Sequence, residues 1–249
     1  MALGIIGIYV SRTERKKHRL VPAVRRILVA GFVIVFFYII ALISGNEKLS
    51  LFGYGGYYVA MMWLFYFLLH FALEYTGNTA EKHLNNKLMV AFLVINSLSI
   101  MLNVVWGHLF VVKEVVLYKT ETVFEPILLP FYYVHYVFTG LLALFCLLVL
   151  VYHCVNAPTF YRMKYLIIAL ILVVLVGLNI HGFQSTIDFS ILGYVVEVIC
   201  IYYCAFVYTP QRLLQKTLSM VTQDMTVGLV VMDLESRLIY NNKCADEYM

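Results

Sequence analysis

Charge is what this sequence has least of. Of its 249 residues only 13% are Asp, Glu, Lys or Arg, about half the share of an ordinary soluble domain. With 63% hydrophobic residues and a mean hydropathy of +0.86, a water-soluble globule is excluded. Cysteine is sparse too. Five are present, and Cys146, Cys154, Cys200 and Cys204 fall in apolar stretches where thiols usually serve as small packing groups, so no disulfide framework is expected. Cys200 and Cys204 share a helix face and His153 neighbours Cys154, but packing outweighs a metal site as the reading. No His-Glu-x-x-His spacing occurs, which removes the common zinc-protease site. The last apolar run holds no lysine, which removes a retinal Schiff base. No internal repeat of the kind many carriers show is visible, which leaves a small-solute transporter as the alternative reading rather than the first.

What is abundant is long apolar sequence. Six runs, at 21–44, 56–75, 88–112, 126–152, 163–183 and 187–208, approach or exceed the ~20 residues that cross a ~30 Å hydrocarbon core. A shorter one, 1–10, is about half that length and lacks the leading charges and small-residue cleavage site of a secretory signal. It reads as a shortened first helix. The fold class is therefore an all-α polytopic membrane bundle. Arg12, Arg15, Lys16, Lys17 and Arg19 follow the first stretch, with Arg25 and Arg26 beyond. If that side is cytoplasmic, alternation also puts Lys82, Lys87, Arg162, Lys164, Arg212 and Lys216 inside, and only Lys48, Lys113 and Lys119 outside. The C-terminus is then cytoplasmic. The net charge of +4 reflects topology and anionic-lipid contact, not nucleic acid.

After residue 208 the pattern changes. Pro210 ends the last span. Leu214, Leu218, Val221 and Met225 then recur four, three and four apart, the seam of a short parallel coiled coil, which implies a homodimer and a signal relay. Gly228–Asp233 and 237–241 read as two strands around a polar turn, and 242–249 as the start of a helix. The expected organisation is a sensor bundle at 1–208, a connector helix at 209–226 and the opening of a further domain at 227–249.

Polar groups inside the spans are candidate sites, because ionisable side chains are costly in hydrocarbon unless they face protein or water. Asn103, Trp106, His108, His135, Asn179, His181, Asp188 and Glu197 are expected in one outward-opening layer, a small-ligand pocket between helices. Interhelical stitching is the competing role, and the better reading for Asn96, Ser99 and Asn103, three and four apart. His70 and Glu74, one turn apart at the inner end of the second full span, suit a structural contact or a switch. The many Tyr and Phe residues are expected in interfacial belts and core. No cofactor is implied.

Four stretches carry a family resemblance: Phe71-Ala-Leu-Glu-Tyr-Thr-Gly77, Phe131-Tyr-Tyr-Val-His-Tyr136, Asp188-Phe-Ser-Ile-Leu-Gly-Tyr194, and Met225-Thr-Val-Gly-Leu-Val-Val-Met-Asp233 with Leu238-Ile-Tyr-Asn-Asn242. In this order they resemble the seven-transmembrane sensor region of bacterial membrane histidine kinases, found also on diguanylate cyclases, running into a PAS domain. The resemblance implies a non-catalytic sensor in the bacterial cell membrane, an extracellular small ligand, and a downstream kinase or cyclase module.

Overall fold

A computed structural model describes residues 20–77, 87–118, 121–157, 159–182, 188, 190–207, 226–232 and 238–246. The expected first stretch at 1–10, and the connector seam of Leu214, Leu218, Val221 and Met225, lie outside the described residues. The chain divides into two compact units, 1–157 with 162–207, and 158–161 with 208–249.

Among the described residues six helices are long and apolar enough to cross a membrane. They are α1 (Val21–Ile43), α2 (Glu47–Thr76), α3 (Lys87–Trp106), α4 (Tyr132–Asn156), α5 (Thr159–Gly182) and α6 (Ser190–Tyr202), the last continued by a π-helical turn, Tyr203–Val207. Their solvent-side faces carry large apolar side chains such as Phe36, Ile43, Ile95, Val134 and Leu192, all exposed. Water would penalise such faces; lipid tails accept them.

Local chemistry fixes the helix ends. Pro22 sits in the first turn of α1, where a missing N–H breaks no helical bond. The Asn46 side chain caps α2 by accepting the Lys48 N–H at 2.9 Å, so α2 begins at Glu47 and not at the expected 56. At 30 residues it is about 45 Å long, more than the hydrocarbon core requires, and its first turns meet the strands described below.

The main departure from the expected outline lies between α3 and α4. The third full span was expected to run to 112 and the fourth to open at 126. Instead α3 stops at Trp106, and the chain forms an antiparallel hairpin, β1 (Phe110–Tyr118) with β2 (Glu121–Leu128), paired from Phe110↔Leu128 to Tyr118↔Glu121. Gly107 makes the exit possible. Its φ of 57° is left-handed and its N–H bonds Asn103 O at 2.8 Å, a helix end that a side chain would strain. Pro126 is tolerated in β2 because a two-stranded sheet has free edges.

α2 is the central post. It packs along α1 and also meets α3, α4 and both strands. Gly53 allows the closest approach: a Cβ there would lie 2.6 Å from Ala41 N and 2.7 Å from Ala41 Cα. Small residues at such crossings let membrane helices gain van der Waals contact, the main attraction left once lipid removes the hydrophobic drive.

In the second unit β3 (Val230–Met232) pairs antiparallel with β4 (Leu238–Asn241), followed by the short helix α7 (Lys243–Asp246). The buried Asn242 amide ties this piece together. Its Oδ1 accepts from Leu229 N at 2.8 Å and Ala245 N at 3.0 Å, and its Nδ2 donates to Val227 O at 2.9 Å.

Candidate functional site

The chain order alternates direction, so the end of α1, the start of α2, the hairpin, the start of α4, the end of α5 and the start of α6 all gather at one end of the bundle. A cavity of about 690 Å³ lies there, within the range of small-molecule sites. α1 contributes Tyr38, and α2 contributes Tyr54, Tyr57, Tyr58 and Met61, spaced so that one helix face lines the wall. The hairpin adds Lys113, Val115 and Glu125; α4 adds Tyr132, Tyr133 and Tyr136; Asn179 and Asp188 close the side toward α5 and α6.

Asp188 is the hub. Its Oδ1 accepts the Ser190 N–H at 2.8 Å, capping α6. Its Oδ2 accepts the Tyr57 hydroxyl, and Tyr57 also lies 3.2 Å from Ser190 Oγ. The Asp188 N–H donates to the Tyr38 hydroxyl at 2.7 Å. One residue thus joins α1, α2 and α6, its backbone reaching α1 and its carboxylate reaching α2 and α6 through charge-assisted bonds, the stronger kind. Beside it Tyr194 donates to Asn179 Oδ1 at 2.8 Å, linking α6 to α5. Tyr54 donates to Phe124 O at 2.8 Å, linking α2 to β2. The floor is aromatic: Tyr58 packs against Tyr132 with ring centroids 4.9 Å apart and against Phe110 at 5.2 Å.

The residues anticipated for an outward layer therefore separate. Asn179 and Asp188 line the cavity. His135 lies behind its aromatic wall, buried, 5.4 Å from the Tyr132 ring, with Asn96 Nδ2 3.1 Å from its Nδ1. Asn103, Trp106 and His108 do not line it. Asn103 is fully buried and roots the hairpin, donating to Phe110 O at 2.7 Å and accepting from Leu109 N at 2.7 Å. His108 Nε2 lies 3.0 Å from Ser99 Oγ, and the exposed Trp106 ring packs beside His108. Glu197 is buried in α6 away from the cavity, and neither carboxyl oxygen has a hydrogen-bond partner among the described residues. The His181 side chain lies outside the described residues.

Of the Asn96–Ser99–Asn103 stripe, only Asn96 stitches helix to helix, touching Met62 Sδ at 3.2 Å as well as His135. His70 is buried beside Tyr66, and Glu74 is half-buried one turn on. Among the described residues no three His, Cys, Asp or Glu side chains converge as a metal site.

The tyrosines were the residues that sequence reasoning missed. The signal was Tyr54, Tyr57, Tyr58 and Met61 at helical spacing on the least apolar span; polar-tipped rings clustered on one face line something other than lipid.

With this arrangement in view, the comparisons with known proteins become specific. The family described as the N-terminal 7TM region of histidine kinase matches residues 1–213. The chain belongs to this family. As a member it is a multi-pass membrane protein whose spans form a non-catalytic 7TM sensor region. The match takes in every transmembrane helix and every residue that lines the cavity. A comparison with curated proteins finds no match.

Proposed function

We propose that this 7TM region is a receptor for a small extracellular ligand, and that the tyrosine-lined cavity is where the ligand binds. The observation that carries the reading is convergence: one cavity is walled by residues of α1, α2, α4, α5, the α6 cap and the hairpin. An occupant there touches nearly every moving part, so it can favour one helix arrangement over another by contacting the two differently. The basic segments favour the opposite end of the bundle as cytoplasmic, which supports a cavity on the outside and a C-terminus inside.

The relay follows from Asp188. It caps the helix whose other end continues toward residue 208, and a helix transmits an axial or rotational displacement as a rod. Beyond it, the connector seam of Leu214, Leu218, Val221 and Met225 would carry the change, as a homodimer, into a cytoplasmic domain of PAS type and a kinase or cyclase effector. His70 and Glu74 would sense the same shift at the inner end of α2. The two-strand piece held by Asn242 supports the PAS assignment.

The test is a chimaera of the full chain with an intact kinase or cyclase module, read as reporter output across conditioned media and small metabolites. Val115→Trp puts an indole into the cavity from a strand, leaving helix packing untouched. Val116→Trp, on the other face of the same strand and already exposed, is the control. Val115→Trp should abolish the stimulus response and Val116→Trp should keep it. A normal response in Val115→Trp overturns the pocket.

A further inference from the structure

Resting on that reading of the cavity, we propose that its ligand is an organic cation, an alkyl- or arylammonium compound, held by an aromatic cage closed by the Asp188 carboxylate. The cavity offers ring faces more than phenol protons. Tyr54 and Tyr57 have their hydroxyl hydrogens committed to Phe124 O and Asp188 Oδ2. Their rings and that of Tyr136 line the cavity, and a tyrosine π-face attracts an ammonium group within about 6 Å of the ring centre.

The charge balance selects the same sign. The lining carries Asp188 and Glu125 against one cation, Lys113, and Lys113 and Glu125 are directly opposite partners in the hairpin register. Opposite charges so placed offset each other, which leaves Asp188. Its partners are neutral donors, Tyr57 and the Ser190 N–H, and among the described residues no basic side chain pairs with it. The N-terminus of α6 would otherwise attract an anion, but Asp188 already caps it. An anionic ligand would meet Asp188 unscreened. A neutral ligand would leave the carboxylate without a counter-charge. A cation answers both.

The experiment uses the whole chain in nanodiscs, titrated calorimetrically with tetramethylammonium, choline, benzyltrimethylammonium and phenethylamine. The uncharged carbon isostere of choline, tert-butyl in place of trimethylammonium, and an arylcarboxylate of similar size complete the set. At least one cation should bind saturably, with the isostere and the carboxylate about tenfold weaker or worse. Asp188→Asn keeps the oxygen that caps α6 but weakens the bond from Tyr57, so it should fold with a modestly lowered melting midpoint and lose about tenfold in affinity for the cations but not for the uncharged isostere. Tyr136→Phe should stay within about twofold of the parent, and Tyr136→Leu should lose about tenfold for the cations but much less for the uncharged isostere, a split that packing alone does not produce.

Equal or better binding of the isostere or the carboxylate overturns the cation and leaves the pocket standing, provided Val115→Trp abolishes that binding. Absence of saturable binding by every cation up to about 10 mM also overturns it; the pocket itself is then judged by the chimaera response to Val115→Trp. Binding that survives Val115→Trp places the ligand elsewhere and removes both.

Discussion

α2 and α3 lie side by side, yet they face opposite solvents. α2 is the least apolar of the six membrane helices, and 83% of its apolar 18-residue stretch is buried in protein; α3 is among the more apolar, and 17% of its corresponding stretch is buried. In a water-soluble protein the order would be reversed, with the most apolar helix at the centre. In lipid, tails solvate leucine as well as another leucine does, so apolarity gives no reason to hide. The centre is taken instead by the helix with small residues for close approach and polar tips for hydrogen bonds. Gly53 against Ala41, and Tyr54 and Tyr57 with their bonds to the hairpin and to Asp188, are those features. In α2 low hydropathy goes with the central position, and that helix lines the cavity.

The largest expected break of that contrast is Gly53→Val. The added Cβ meets Ala41 N at 2.6 Å and Ala41 Cα at 2.7 Å, both backbone atoms, so α1 and α2 must move apart. Overpacking of this kind costs about 1–3 kcal/mol or more. The melting midpoint in detergent should fall sharply and membrane accumulation with it. Ala41→Gly should not restore it, because the two nearest atoms remain; full rescue would show that the Ala41 methyl, and not the backbone approach, sets the crossing.

Next is Asn103→Ala, where α3 does contact protein. That amide supplies the partners of Leu109 N and Phe110 O at the hairpin root. Leaving buried backbone groups unpaired costs about 1–3 kcal/mol. Proteolysis or hydrogen exchange should show the hairpin loosening before the helices do. Unchanged protection of 110–128 would mean the hairpin is held from elsewhere, by Tyr54 and the α2 contact.

How much of this was readable in advance follows from the same physics. Six spans were legible because a bilayer demands ~20 apolar residues, and nothing else in the chain mimics that length. The hairpin was not. Phe110–Val112 is as apolar as the span before it, so the run length hid the change. The clues were Gly107, and the β-branched Val111, Val112, Val115, Val116 and Val123 around Lys113 and Glu114. The start of α2 hid behind Glu47 and Lys48, which look like loop, although Asn46 followed by Glu47 is a helix-cap pattern.

At the site, Asp188 and Asn179 stood out because polar groups in apolar surroundings are few. Asn103 stood out for the same reason, but hydrogen-bonds backbone instead of lining the cavity, a distinction that only tertiary structure makes. The tyrosines were illegible as a cavity lining. Among 20 tyrosines, membership depends on Tyr38 meeting Asp188 and Tyr54 meeting Phe124, pairs far apart in sequence.

The smallest expected effect tests the other half of the comparison. Leu88, Phe92, Ile95, Leu98, Leu102 and Val105 recur three and four apart on α3, and all are exposed large apolar groups. If lipid is their only neighbour, Leu98→Ala exchanges one apolar surface for a smaller one in an apolar solvent and opens no cavity. Its effect should stay within about 0.5 kcal/mol, the range of substitutions that break no packing, read as an unchanged melting midpoint in nanodiscs. A loss of about 2 kcal/mol, the size of a buried leucine truncation, would mean that this face is packed against protein in the assembled protein. α3 would then belong to an interface, and its low burial would describe a single copy of the chain and not the working molecule.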